Sequence, residues 1–384
     1  MPSADRPATR LATRLAFLVS GFGIACWAPL VPFAKERLGV DDGVLGLLLL
    51  CLGIGSVLAM TLTGVMSARL GSKPIIIASS LVVALALPLL SVAGTPLALG
   101  ACLFAFGAGL GSLDVAMNIH AVEVEHAAKQ PLMSGFHALF SIGGFLGATA
   151  MTLMLSMRLE ALPSTLIGSV LILFATAVAW PRLLDKVSTE AGPMSVMPRG
   201  IVVLLAILTG IIFLVEGAVL DWGALLITRA NLVPVTQGGL GYVLFSIAMT
   251  TGRLTGDAIV ARVGDRPTLF WGSLLAIAGF VMVILAPVAA VAMAGFLLIG
   301  LGASNIVPIL FRRAGSQSAM PVALAVAAIT TVGYAGILVG PAAIGYVARW
   351  VGLPGAFWIL AGLLCVVTLT SRTVTAEHRP GPSP

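Results

Sequence analysis

An ionisable side chain inside a long apolar helix costs several kcal/mol unless it meets water or a partner charge, so each one that a sequence keeps needs a reason. This chain keeps a small set. Asp114 stands in Gly111-Ser112-Leu113-Asp114-Val115-Ala116-Met117-Asn118, and Glu216 and Asp221 stand in Glu216-Gly217-Ala218-Val219-Leu220-Asp221-Trp222. His137 lies in Gly135-Phe136-His137-Ala138-Leu139-Phe140, and Arg253 and Asp257 lie four apart in another apolar run. Such groups offer reversible proton binding at a carboxyl or imidazole, and charged or hydrogen-bonded contacts to a polar solute.

Helical geometry sorts them. Asn118 is one turn beyond Asp114, and Glu125 rotates back to within about 20° of the Asp114 face, which predicts a polar track along one side of that helix. Glu216 and Asp221 lie about 7.5 Å apart along the axis and point about 140° away from each other, so only one shares a given face unless Gly217 or Gly223 breaks the helix. Trp222 offers an apolar face to a solute ring, or anchors the helix at the membrane interface. Arg253 and Asp257 can pair across one turn, as a gate or a structural clamp. His137, Asn305 and Trp27 complete the candidates for proton or solute contact, each with simple packing as the alternative.

The elements that must hold these residues follow from composition. Hydrophobic residues are 59% of the 384 and charged ones 9%, against about 25% charged in a soluble domain, so the lipid bilayer is the expected solvent. One span takes about 20 apolar residues. Twelve are predicted near 14–38, 43–67, 74–94, 97–119, 134–157, 163–182, 200–228, 236–260, 267–287, 289–311, 319–347 and 353–371. The expected organisation is a cytoplasmic tail at 1–13, a six-helix bundle at 14–182, a cytoplasmic linker at 183–199, a second six-helix bundle at 200–372 and a cytoplasmic tail at 373–384.

The halves repeat. Ala68-Arg69-Leu70-Gly71-Ser72-Lys73-Pro74 returns as Ala261-Arg262-Val263-Gly264-Asp265-Arg266-Pro267, an offset of 261 − 68 = 193 residues. The same offset carries Gly107, Gly109 and Gly147 onto Gly300, Gly302 and Gly340. Small residues let helix backbones approach closely in lipid, which gives the 44 glycines a packing role. Pro29, Pro32, Pro308 and Pro341 are expected to interrupt spans.

Fifteen of the 21 Lys and Arg residues fall on the side of the N-terminus, among them Arg69, Lys73, Arg262, Arg312 and Arg313, while Lys35, Arg37, Arg158, Arg229 and Arg349 fall on the other and Arg253 is embedded. This asymmetry places both termini in the cytoplasm. The net charge of +6 then reports topology, and no basic aromatic stripe suggests nucleic acid. Four cysteines inside spans, with no CxxC or histidine partner, argue against disulfides and a metal site. The first span, close behind Arg14 and without a small-residue cleavage site, is expected to be retained. No catalytic triad, metal-ligand spacing or phosphate-binding loop is present, so neither an enzyme nor a cofactor is expected.

The stretch Gly64-Val65-Met66-Ser67-Ala68-Arg69-Leu70-Gly71-Ser72-Lys73 resembles the loop signature of the major facilitator superfamily (MFS), with Ala68, and Ala261 in the second copy, where the family usually has an acid. Asp257 and Arg253 are candidates to replace the missing charge, with Arg69 and Arg262 as companion gating residues. The segments around Asp114, His137 and Glu216 resemble a bacterial branch with rhizopine-transport-like members, and the Asp114/Asn118 spacing resembles fucose-permease-like proton symporters. The resemblance implies an all-α fold of twelve transmembrane helices in two pseudo-symmetric six-helix bundles, with spans 1, 4, 7 and 10 around a central cavity. It implies a monomeric secondary transporter of the bacterial inner membrane, moving a small sugar- or polyol-like solute with protons by alternating access. Two alternatives stand beside it: a proton-driven exporter of amphiphilic compounds, whose usual Gly-Pro motif is absent from span 5, and a transport-inactive receptor or scaffold.

Overall fold

The computed structural model describes residues 6–185, 197–234 and 237–376. The centre of the expected linker and the outermost parts of both expected tails lie outside the described residues. Counted over the described residues, thirteen α-helices follow one another: α1 (Pro7–Trp27), α2 (Val31–Leu38), α3 (Asp42–Leu70), α4 (Ser72–Val92), α5 (Pro96–Ala128), α6 (Met133–Ser156), α7 (Ala161–Ala179), α8 (Ile201–Arg229), α9 (Leu240–Val263), α10 (Asp265–Ile284), α11 (Ala289–Ala303), α12 (Ile306–Ser316) and α13 (Val322–Thr375). Among the described residues they supply twelve stretches long and apolar enough to cross a membrane. The protein is an all-α, twelve-span membrane protein.

Prolines and glycines explain where helices divide. The first span begins at Pro7, earlier than hydropathy alone predicts, and bends at a 3-10 turn over Ala28–Leu30, where Pro29 and Pro32 lack amide hydrogens. The tenth span is split between α11 and α12 at Ser304 and Asn305, four and three residues before Pro308. Gly71 (φ 82, ψ 166) and Gly264 (φ 87, ψ 169), related by the repeat, each turn the chain between two helices with a single residue. Gly352 (φ 73, ψ 166) does the same inside α13. All three occupy backbone space that is essentially closed to residues with a side chain.

The chain forms two compact units: Met1–Gln130, Phe136–Val196 and Val326–Thr331 in one, and Pro131–Gly135, Met197–Ala325 and Val332–Pro384 in the other. In the first, a Cβ on Gly107 would stand 2.0 Å from the Leu52 carbonyl oxygen. In the second, a Cβ on Gly300 would stand 2.3 Å from the Phe245 carbonyl oxygen. Leu52 and Phe245 are related by the same offset as the two glycines, so one backbone-on-backbone contact is built twice. Gly143 against Leu18 and Gly336 against Gly210 repeat a second such contact, between α1 and α6 and between α8 and α13.

Candidate functional site

In the first unit the candidates gather on α5. The helix runs unbroken for 33 residues and buries Asp114, Asn118 and Glu125 together. Asn118 Nδ2 donates to the Asp114 backbone carbonyl at 2.9 Å, one turn back, and its Oδ1 is buried without a partner. Among the described residues no side chain donates to the Asp114 carboxylate, which is 7% exposed. His137, at the start of α6, lies against the Phe17 ring at 5.1 Å between centroids, and Phe136 stacks on the same ring at 5.9 Å. Trp27 ends α1 with its indole N–H buried and unpartnered.

A residue that sequence reasoning passed over is held at both of its ring nitrogens. His120, wholly buried on α5, accepts the Leu184 backbone N–H on Nε2 at 3.0 Å. That leaves Nδ1, 3.1 Å from Thr13 Oγ1, as the protonated nitrogen, and the Thr13 hydroxyl in turn donates to the Thr9 carbonyl at 3.0 Å. The ring is therefore neutral and ties α1, α5 and the chain leaving the sixth span. The available signal was a lone histidine in an apolar run, two of whose nitrogens must both be satisfied in lipid. Beside it, Lys73 Nζ meets Asp185 Oδ1 at 2.7 Å, and this ammonium holds the exposed Asp185 carboxyl below its ordinary value.

Arg37 is held by backbone carbonyls. Its guanidinium donates to the Leu90 carbonyl at 2.8 Å, the Ala93 carbonyl at 3.1 Å and the Ser91 carbonyl, capping the C-terminal end of α4.

In the second unit, α8 remains regular from Ile201 to Arg229, so neither Gly217 nor Gly223 breaks it, and Glu216 and Asp221 diverge. Glu216 faces Arg253 of α9, Nη2 to Oε1 3.5 Å, and that oxygen has no hydrogen bond among the described residues, whereas Asp221 is exposed. Trp222 packs over Gly345, at 3.1 Å from where a Cβ would be, with its Nε1 buried and unpartnered. Tyr242, whose hydroxyl bonds to Ser246, lies within the field of Glu216, Arg253 and Asp221.

The break in the tenth span is fastened to α9. Asn305 Nδ2 donates to the Gly252 carbonyl at 3.1 Å and to Ser304 Oγ at 3.0 Å, while Arg253 Nε reaches the Ser304 carbonyl at 3.4 Å. Gly252 and Gly256 make room: a Cβ there would fall 2.3 Å from Ser304 Oγ and 1.7 Å from Asn305 Oδ1.

Arg253 and Asp257 thus each have partners on other helices. Asp257 accepts the backbone N–H groups of Ser134 at 3.0 Å and Gly135 at 2.7 Å, both within the second unit, and stands 4.0 Å from Arg312. Arg312 and Arg313 each bind Asp265 at 2.6 Å, a cluster the sequence reading did not single out. Arg69 and Arg262 are exposed at the ends of α3 and α9.

Of the eight residues predicted to contact proton or solute, Asp114 and His137 join buried faces of the first unit and Glu216 and Asn305 flank Arg253 in the second. Asp221 stands apart. Asn118, Trp27, Trp222, Glu216 and Asn305 each keep a buried polar atom without a hydrogen bond among the described residues.

The Major Facilitator Superfamily profile matches residues 14–311. An uncharacterised MFS-type transporter of Yersinia pestis is 47% identical over 367 residues, covering 95% of this chain and 96% of its own. Membrane protein MosC of Rhizobium meliloti is 31% identical over 375 residues, covering 97% and 91%. Among solved structures, the E. coli fucose:proton symporter FucP aligns over 98% of this chain and 100% of its own with a TM-score of 0.73 and 16% identity. The human organic anion transporter MFSD10 aligns over 95% and 100% with a TM-score of 0.77 and 17% identity. At such identities these two likenesses speak for the fold. The profile and the close bacterial relative, each spanning most of the chain, show that it belongs to the Major Facilitator Superfamily of membrane transporters.

Proposed function

We propose that the protein is a proton-coupled secondary transporter of a small polar solute, sugar- or polyol-like, acting as a monomer in the bacterial inner membrane with both termini in the cytoplasm. The observation that carries this reading is the set of buried polar atoms left without hydrogen bonds on Trp27, Asn118, Glu216, Trp222 and Asn305. Orphaned buried polar groups are scarce in folded proteins, and of the ten among the described residues five fall on candidate residues whose types suit a hydroxylated solute. Asp114, buried, and Glu216, half-buried, supply an acid in each half, at positions the repeat does not duplicate. Arg253, Asp257, Arg69 and Arg262 serve the gating of alternating access. FucP, a neighbour in fold, is named as a fucose:proton symporter, and the proposed solute class is of that kind.

The test is flux. Purified protein in liposomes loaded with a pH-sensitive dye is exposed to sugars and inositol-like polyols, then to hydrophobic amines. Acidification of the lumen on adding a polyol supports the reading. Proton movement with amines alone makes the protein an amphiphile exporter, and none with either class overturns proton coupling.

A further inference from the structure

We propose that Arg253 is the positioning residue of the tenth span: it supplies the hydrogen-bond donor that Pro308 lacks and ties the resulting break to Glu216. In a regular helix the N–H of residue 308 would bond to the carbonyl of Ser304, four residues earlier. Proline has no N–H, so that carbonyl is orphaned inside an apolar span, where an unmet polar group is costly. Arg253 Nε reaches it at 3.4 Å. A different nitrogen of the same guanidinium, Nη2, stands 3.5 Å from Glu216 Oε1.

The surrounding residues commit the break to this partner. Ser304 Oγ donates to the Leu301 carbonyl at 2.7 Å, and Asn305 Nδ2 donates across to the Gly252 carbonyl at 3.1 Å. Gly252 and Gly256 leave a notch in α9 that any side chain would fill. The partner half has no such arrangement: Gly111 and Val115 occupy the places related to Ser304 and Pro308, and α5 passes through them without interruption. One cation therefore serves two spans, and a change in charge or occupancy at Glu216 alters the donor that holds the break. This consequence rests on the reading of Glu216 as a site acid.

The experiment uses the full-length protein in lipid nanodiscs and needs no solute. Hydrogen exchange over residues 301–311 is followed by mass spectrometry in the parent, Arg253→Gln, Pro308→Ala, Glu216→Gln and the pairwise combinations. Arg253→Gln is expected to speed exchange about tenfold, because a charge-assisted bond in the break is lost. Adding Pro308→Ala, which restores the amide hydrogen, is expected to return it to within about threefold of the parent. Glu216→Gln is expected to change exchange in the parent and to have no effect in the Arg253→Gln background. Where Arg253→Gln does not fold, Arg253→Lys is read in the same cycle, since a point charge cannot span both partners as a planar guanidinium does. Unchanged exchange in the Arg253 variants, failure of Pro308→Ala to rescue, or an equal Glu216→Gln effect in both backgrounds each overturns the inference. Persistence of the exchange cycle in a protein that shows no solute-linked proton flux would instead count against the proposed transport reading alone.

Discussion

His120 and Leu184 hold the chain leaving the sixth span: the imidazole Nε2 accepts the Leu184 amide at 3.0 Å while Nδ1 faces Thr13. Replacing the ring by alanine strands the Leu184 N–H and removes the Thr13 partner. His120→Ala should therefore lower stability by about 1–3 kcal/mol, the cost of unmet buried hydrogen bonds, read as a fall in the thermal unfolding midpoint. Thr13→Val should have a smaller effect, because it leaves the Leu184 bond in place. Equal effects would show that the Leu184 contact contributes nothing.

The duplicated glycine contact predicts matched damage. Gly107→Ala and Gly300→Ala each drive a Cβ to 2.0 and 2.3 Å from a facing backbone oxygen, which cannot move away as a flexible side chain would. Each should cost about 1–3 kcal/mol. Gly46→Ala, on a helix with open space around it, should be neutral or stabilising by up to about 1 kcal/mol. Monodispersity and unfolding midpoints of the three variants decide this.

Lys73 and Asp185 set a pH dependence outside the membrane. The neighbouring ammonium lowers the Asp185 carboxyl below its ordinary 3.8. A depressed carboxyl contributes fully above its unfolded value and loses that contribution as pH falls through the lower folded one. The difference in unfolding midpoint between the parent and Asp185→Asn should thus be flat from pH 8 to about pH 5 and shrink only in stronger acid. It should also be small, since Asp185 is exposed and the pair is screened. A difference that vanishes near neutral pH would show that the pair does not form in solution.

How much of this was legible depended on whether a feature is local. The spans, the Gly71 and Gly264 turns and the packing glycines follow from apolar length and an internal repeat, both written along the chain. The divergence of Glu216 and Asp221 followed from helical rotation alone, because α8 stays regular. The partner of Arg253 did not. An i,i+4 neighbour, Asp257, was visible in sequence, whereas Glu216 and the Ser304 carbonyl are brought to it by helix packing. Pro308 announced a broken span, but not which side chain would meet the freed oxygen. His120 was passed over because its partners are a backbone amide 64 residues away and a threonine 107 residues away.

Asp114 tests the first unit. Asparagine keeps the size of the side chain but cannot ionise, so Asp114→Asn should fold and purify normally while solute-linked proton flux falls by about tenfold or more. Because no described side chain donates to the carboxylate, the substitution strands no partner and its thermal midpoint should stay near the parent. Parent-like flux with an unchanged pH profile would reduce Asp114 to a packing residue.

The two acids of α8 make the last test. Glu216 faces Arg253 with one oxygen unbonded, whereas Asp221 is exposed one and a half turns along the same regular helix. Roles that depend on direction must therefore differ between them. Glu216→Gln keeps the shape but removes the charge beside Arg253, and is expected to abolish polyol-dependent thermal stabilisation or shift its pH dependence. Asp221→Asn leaves the Glu216–Arg253 contact in place, and is expected to leave stabilisation largely intact while changing the rate of flux in liposomes. The measurements are paired, polyol stabilisation across pH for the purified protein and flux for each variant. If Glu216→Gln behaves as the parent while Asp221→Asn loses stabilisation, the assignment within the helix is inverted. If both behave as the parent, the solute and proton contacts of the second unit belong to Asn305 and the break in the tenth span, and α8 serves only to hold Arg253.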